Sequence, residues 1–370
     1  MVEQATHREG TLMAGRPGTV VVGAGILGCL VAREILATDS RASVTVIDRD
    51  LIGSGASRRS AGLHFPRGAN PAVRALTTES QRYYADLAAR RPDLPIHPIG
   101  MTVVARESTE AKVRRTYLPE ANLRRVTRVP DGVALPKGTV AWAGDGCQYA
   151  DVPTLTQALA AELRPTVEFL EGVTVTGVSS SVDGVRLSLS TGPPLIAERV
   201  VLAPGPWLAA SAWRDLVAPL GARVKKIVAL HIEQAPTEQD GAIVFQEEDA
   251  FLLPYRRRGH WLFSYTCSEW DVDPDTVEPG VNPAHLAEAR ELLRRYAPRL
   301  ADRCVSGRVF CDAYAPDAVP LVRALTDDSR LVFAGAANGS GYRLAPAVAA
   351  ETVRLLSTQA PTPTSRKDTK

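Results

Sequence analysis

Gly23, Gly25 and Gly28 form a G-x-G-x-x-G turn, with Ile26 and Leu27 inside it, directly behind the β-branched run Val20-Val21-Val22. The chemistry open to such a turn is anion binding. Its first glycine permits the turn, its second lets backbone amides close on a pyrophosphate at a helix N-terminus, and its third lets helix pack against strand. Asp48 ends a second apolar run, Val44-Thr-Val-Ile, twenty residues beyond Gly28, where a carboxylate can accept hydrogen bonds from a ribose diol. With the apolar stretch Leu27 to Leu36 between them, these residues read as strand, turn, helix, strand and acid, the unit that grips the ADP half of a dinucleotide. On these residues alone the dinucleotide is NAD, NADP or FAD.

No second cluster of reactive side chains stands out. His64, His97, His231, His260 and the other two histidines have no mutual spacing that suggests a metal site or a Ser-His-Asp triad. Cys29, Cys147, Cys267, Cys304 and Cys311 are odd in number and lack a Cys-x-x-Cys pair, so neither a disulfide framework nor a zinc knuckle is supported, and a reducing cytoplasm fits. Lys and Arg number 43 against 41 Asp and Glu, evenly mixed, which leaves no electrostatic footprint for nucleic acid. The arginine pairs and the triplet Arg256 to Arg258 read as solvated faces, except Arg58-Arg59 beside a Gly/Ser loop. Val20 to Ala37 is apolar but carries three glycines, Arg33 and Glu34, which argues against a membrane span, and no signal peptide is legible before it.

The elements that must position these residues come in pieces, and 370 residues are long for one core. Leu51 to His64 is too rich in Gly and Ser for a regular strand and reads as a loop running into a helix start. A helix follows from Pro71 to about Ala89. Pro92, Pro95 and Pro98 break the pattern before a strand at Met101 to Ala105. Thr154 to Leu163 reads as helix, Val167 to Leu170 and Val173 to Val178 as strands, and Val185 to Leu189 as a hairpin strand. Arg199 to Ala203 is a buried strand meeting Pro204-Gly205-Pro206-Trp207. From Ala222 the pattern becomes antiparallel: Val224 to Ile232, Ala242 to Phe245, Phe251 to Pro254 and His260 to Tyr265. The helix Pro283 to Tyr296, the buried strand Leu331 to Gly335, a glycine-rich turn to Gly341 and the closing helix Leu344 to Leu356 complete the chain. A dinucleotide fold interrupted twice by strand-rich insertions points to FAD, since a plain NAD dehydrogenase keeps its cofactor fold contiguous.

Four stretches occur in order over nearly the whole chain: the glycine motif through Asp48, Gly55-Ala-Ser-Arg-Arg-Ser-Ala-Gly62, Val200-Val-Leu-Ala-Pro-Gly-Pro-Trp207, and Phe333-Ala-Gly-Ala-Ala-Asn-Gly-Ser-Gly-Tyr-Arg-Leu-Ala-Pro346. Together they resemble the D-amino-acid oxidase superfamily of FAD-dependent oxidoreductases, which includes glycine and sarcosine oxidases and 2-hydroxyglutarate dehydrogenases. The resemblance implies an α/β fold, a Rossmann-like FAD-binding domain with an inserted, mainly antiparallel substrate cap. The FAD domain is expected at 18–90, 148–221 and 308–357, the cap at 91–147 and 222–307, and flexible termini at 1–17 and 358–370. Carried onto this chain, Asp48 and Arg49 would hold the adenosine, and Ser57, Arg58, Ser60, Ala61 and Gly62 would form the loop against the FAD phosphates and flavin. Val173 or Val175 would touch the adenine through its backbone, and Ala203 and Gly205, with Trp207 beside them, would line the cofactor channel. Gly339, Ser340 and Gly341, with Tyr342 and Arg343, would present backbone amides and a helix N-terminus to the flavin pyrimidine, where reduced flavin is negative.

The activity so implied is hydride transfer from a carbon bearing nitrogen or oxygen to flavin N5. An amino acid or N-substituted glycine would give an imine, which hydrolyses, with O2 the acceptor. A carboxylate-bearing amine is the expected substrate, and Arg343 is the first choice for its carboxylate, the alternative being a structural ion pair at a helix start. His64 ends a run that enters the flavin pocket in related proteins, which keeps 2-hydroxy-acid oxidation open beside a purely structural histidine. Tyr255, Tyr265, Tyr314 and Tyr342, with Arg67, are the remaining candidates for the substrate wall, each of which core packing would also explain. A flavin-binding subunit without turnover is the reading from another class. Sarcosine-oxidase-like relatives attach FAD through a cysteine near the position of Cys311, but the spacing to Tyr314 differs, so non-covalent FAD is expected. They also carry a lysine on the strand facing N5, and Trp261 to Tyr265 has none.

Overall fold

The computed structural model describes residues 18–278 and 280–357, so the termini expected to be flexible lie outside the described residues. A six-stranded sheet runs in the order Leu321–Ala324, Leu331–Gly335, Arg199–Leu202, Thr19–Val22, Val44–Asp48, Val167–Glu171. Every neighbouring pair is parallel except the first, which is antiparallel. Side-chain alternation decides what covers each face. Val21, Val46, Val201 and Val332 pack against the helices Ile26–Thr38, Val152–Leu163 and Gly341–Ser357. Val20, Val22, Val200 and Leu202 point the other way, onto a three-stranded antiparallel sheet built from Val175–Ser181, Gly184–Leu189 and Leu195–Ala197. Burial of both faces explains why these strands are runs of valine rather than alternating sequence.

A second, nine-stranded sheet runs in the order Cys304–Tyr314, Arg223–Ile232, His260–Tyr265, Ala250–Tyr255, Ala242–Phe245, Ile96–Arg106, Thr139–Ala150, Leu63–His64, with Arg124–Val126 pairing off Thr139–Ala150. It is antiparallel apart from the pair Ala242–Phe245 with Ile96–Arg106. The strand Arg223–Ile232 shows how the sheet divides space. Val228 and Leu230 join Leu293 and Tyr296 of the helix Pro283–Tyr296, whereas Ile227 and Ala229 face the opposite side with Leu63, Trp142 and Phe310.

Several expected elements move. The strand expected at Met101 runs Ile96–Arg106 and contains Pro98, read as a breaker; the proline falls before Met101, where pairing with Ala242–Phe245 begins, so this part of the strand is paired on one side by Thr139–Ala150. Leu63–His64, assigned to a loop, is a short strand of the nine-stranded sheet, and so is the whole of Cys304–Tyr314, which the expected boundary at residue 308 cuts. The closing helix begins at Gly341 rather than Leu344 and carries Pro346 inside it. Proline has no N–H and crowds the preceding turn, which frees carbonyls there. Tyr84 Oη donates to the Tyr342 carbonyl at 2.7 Å, His64 Nδ1 bonds the Arg343 carbonyl at 3.2 Å, and the Ala347 amide donates to Ser80 Oγ at 3.3 Å. At this proline the closing helix is stitched to the helix Pro71–Arg90 and to the strand Leu63–His64.

Candidate active site

A cleft of about 260 Å³ opens at the carboxyl ends of the central strands, where an open α/β sheet binds its ligands. Gly23 has φ +109°, and a Cβ there would stand 2.2 Å from the Ala203 carbonyl oxygen. A Cβ on Gly28 would stand 1.8 Å from the Gly23 oxygen. These two glycines let three backbone segments meet under the cleft, so their absence of side chains is a packing requirement. Gly25 faces the cleft, its position for a Cβ 3.1 Å from Ser57 Oγ, which accepts a 3.0 Å bond from the Ile26 amide. Leu27, Val175, Ala203 and Gly205 complete the walls.

Asp48 lines the cleft, where its carboxylate accepts from the Ala24 amide at 2.7 Å and the Asp50 amide at 2.9 Å, while burial pushes its pKa up. Arg49 and Trp207 close the same end: the guanidinium lies 4.2 Å from the indole centroid. Both reach one acid, Asp275, with Arg49 bonding it at 2.6 and 3.2 Å and Trp207 Nε1 at 2.8 Å. Asp275 sits in the acidic loop between the cap strand His260–Tyr265 and the helix Pro283–Tyr296, so the inserted segment reaches back over the nucleotide cleft. Arg58, expected against the phosphates, lines neither this cleft nor the next cavity. It lies on the one-turn helix Ala56–Arg59, whose Ser57 and Ala56 face inward instead.

A second cavity of about 230 Å³ lies between the two large sheets and shares Ile26, Ala56, Ser57, Asp312 and Gly341 with the cleft. Ser60, Ala61 and Gly62 enter it from one side and Gly339, Ser340, Tyr342 and Arg343 from the other. The turn before the closing helix holds Ala336, Asn338 and Gly339 at φ +52°, +54° and +73°, a strained path that brings the helix N-terminus and its positive dipole to the cavity wall.

Arg343 is buried, with Nη1 donating to the Arg67 carbonyl at 2.5 Å and Thr77 Oγ1 at 2.9 Å, and Nη2 to Ser340 Oγ at 3.0 Å. It forms no ion pair with a carboxylate among the described residues. Desolvation, with the neighbouring Arg67 charge, pushes its pKa down to about 9. Arg67 also lines the cavity; its Nε is buried without a partner among the described residues, and its nearest acid, Asp249, is 3.9 Å away.

The other predicted wall residues separate. Tyr314 and Tyr265 line the cavity, although the Tyr265 hydroxyl donates outward to Glu288 at 2.9 Å. Tyr342 also lines it while its ring rests on Tyr84, centroids 4.7 Å apart. Tyr255 does not: its hydroxyl donates to the Ala61 carbonyl at 2.7 Å from behind, beside Tyr149 and Arg258. His64 is also turned away. Leu63 and Phe65 face the cavity, whereas the His64 ring packs edge-on against Tyr84 with centroids 5.7 Å apart. Because the Arg343 carbonyl only accepts, the His64 proton sits on Nδ1, and burial lowers the pKa to about 3. A neutral, enclosed imidazole that holds a proline-freed carbonyl is a structural residue.

Alternation along Cys304–Tyr314 settles another point. Phe310, Asp312 and Tyr314 face the cavity, and Cys311 packs on the other side with Ala313 and Leu331, its thiol pushed up to about 11 by burial. Asp312 was missed by sequence reading; the same alternation that places Phe310 and Tyr314 would have found it. Asp275 had no such signal, because its partners are 68 and 226 residues away. Lys225, on the strand beside His260–Tyr265, lines neither cavity: its ammonium lies 4.9 Å from the Trp270 ring and 5.3 Å from the Tyr314 ring, with its pKa lowered by burial.

A glycine-cradled cleft at the carboxyl ends of a parallel sheet, running into an enclosed cavity with a buried cation, defines the class of α/β proteins that bind a dinucleotide. Residues 19–355 match the family described as FAD dependent oxidoreductase (DAO), and the chain belongs to it. Glycine oxidase from Pseudomonas aeruginosa is 28% identical over 316 residues, 76% of this chain and 79% of that protein. The crystal structure of glycine oxidase from Geobacillus kaustophilus superposes with a TM-score of 0.77 at 19% identity, covering 93% of this chain and 95% of that one. L-Proline dehydrogenase from P. horikoshii gives 0.78 at 18% identity, covering 94% and 95%. The residues fit FAD: the side-chain-free floor at Gly23 and Gly28, the Asp48 carboxylate and the amides at Gly25 suit its ADP half, and the connected cavity leaves room beyond.

Proposed function

We propose that this flavoenzyme oxidises the C–N bond of an amino acid or N-substituted glycine, giving an imine that water hydrolyses, with O2 as the electron acceptor. The observation that carries this reading is the buried Arg343 guanidinium without a carboxylate partner among the described residues. A buried charge is costly unless paired, and a substrate carboxylate supplies the missing partner. Arg67, with its unpartnered Nε, is placed to share that load. Phe65, Phe251, Phe310 and Tyr314 give the apolar enclosure that orients the rest of a small amine and excludes water. Bound FAD supplies the hydride acceptor; the protein binds, orients and desolvates. The glycine oxidase and L-proline dehydrogenase names are those of enzymes of amino acids, in line with this substrate class. The hydroxy-acid reading rested on His64, whose enclosed ring gives it no support.

Anaerobic mixing of the yellow protein with a panel of amino acids and N-methyl amino acids, and separately with 2-hydroxy acids, tests the reading. Bleaching by members of the first panel is expected, with hydrogen peroxide released on aeration. Bleaching by hydroxy acids alone overturns it, and bleaching by neither points to a flavin-binding subunit.

A further inference from the structure

Of the five residues that line both cavities, Asp312 is the one carrying an ionisable group. A cofactor running from the nucleotide cleft into the Arg343 cavity therefore passes a carboxyl. Among the described residues, backbone amides alone hold the anion, from Ala313 at 2.9 Å and from Gly339. On the same strand, Tyr314 shares its face and Cys311 points away. Its partner on the neighbouring strand is Lys225, whose ammonium lies against the Trp270 and Tyr314 rings. The helix Ala56–Arg59 brings Ser57 to this side, while its Arg59 charge acts on Cys311, and the turn before the closing helix brings the Gly339 amide, its Asn338 side chain being bonded to the Ala315 amide. Burial pushes the Asp312 pKa up to about 6, and filling the cavities removes the water that remains. A carboxylate in this position meets a new negative charge when the flavin is reduced, and like charges in a dry site favour protonation of one of them.

We infer that Asp312 is a proton site coupled to the redox state of the flavin, its carboxylate taking up one proton on reduction and returning it on reoxidation. In the forward step the substrate carbon gives two electrons and one proton to the flavin as hydride, and the amine nitrogen releases the second proton, which matches the one gained at Asp312. On reoxidation by O2, the two electrons and one proton leaving the flavin combine with the Asp312 proton to make hydrogen peroxide. The origin of that proton rests on the amine reading above; the coupling rests only on the flavin.

The test needs no amine, so it stands apart from the fate of that reading. The midpoint potential of the FAD-loaded protein and of Asp312→Asn is measured by mediated titration from about pH 5 to about pH 9. The expected result is that the two coincide at the acid end, that towards higher pH the wild-type potential falls by one extra proton per two electrons, and that the variant lies higher at the alkaline end. Parallel profiles over the whole range overturn the inference. So does a variant that binds FAD more tightly with an unmoved potential, which would put the carboxyl against the phosphates. If the variant fails to load FAD, the wild type alone decides: the reduced-minus-oxidised infrared spectrum gains a protonated-carboxyl band, and no gain overturns the inference.

Discussion

Arg343 places three N–H bonds inside the protein, and its charge meets no carboxylate among the described residues. Replacing it by Gln keeps polar packing and removes the charge. With charged hydrogen bonds contributing about 1.5–3 kcal/mol, kcat/KM for carboxylate-bearing amines should fall about tenfold to a hundredfold, while an amine lacking the carboxylate is affected far less. Steady-state kinetics on the two substrates checks this. His64 belongs to a different category. Its folded pKa of about 3 lies below the usual 6.5, so the unfolded chain binds more protons in that window. The resulting stability is present in full above about pH 6.5 and is lost as pH falls towards 3. Urea unfolding as a function of pH should show this slope, and His64→Leu should flatten it while costing about 1–3 kcal/mol through the unsatisfied Arg343 carbonyl.

At the scale of elements, the acidic loop between residues 266 and 282 does more than connect strand to helix. Asp275 holds Arg49 and Trp207 in one stack at the mouth of the nucleotide cleft. The contact is exposed, so its contribution is modest, within about 1 kcal/mol. Asp275→Ala should therefore raise the FAD dissociation constant by no more than about fivefold, read by flavin fluorescence, and leave substrate kinetics of the loaded enzyme unchanged. The closing helix makes a related point. Pro346 is tolerated because Tyr84, His64 and Ser80 from elsewhere in the chain take the bonds the helix gives up. The cost of the proline is offset by fixing Tyr342 and Arg343 against the short strand Leu63–His64.

In the whole molecule, the cofactor space runs from the parallel sheet to the antiparallel one, so bound FAD touches both. Ligand at a hundred times its dissociation constant stabilises the folded state by about 2.7 kcal/mol. For a chain of 370 residues this corresponds to a rise in melting temperature of about 3 °C, measurable by comparing apo and FAD-loaded protein calorimetrically. Among the described residues no helix is long and apolar enough to cross a membrane.

What the sequence determined by itself was everything encoded over short distances. The glycine turn, Asp48, the valine runs and the helix Pro283–Tyr296 are local patterns of spacing and propensity, and the structure keeps them where the spacing put them. Alternation along one strand also carried Asp312, though it was not read. The tertiary structure decided which side chains meet. His64 and Phe65 are neighbours in sequence, yet strand geometry sends one into the core and the other to the cavity. Tyr255 and Tyr265 lie on adjacent strands of one sheet, and only the second reaches the cavity. Arg343 lacks a carboxylate partner among the described residues, and Asp275 of the acidic loop joins Arg49 and Trp207 from two distant stretches of the chain, for the same physical reason. Burial and pairing are properties of the assembled sheets, and no run of residues states them in advance.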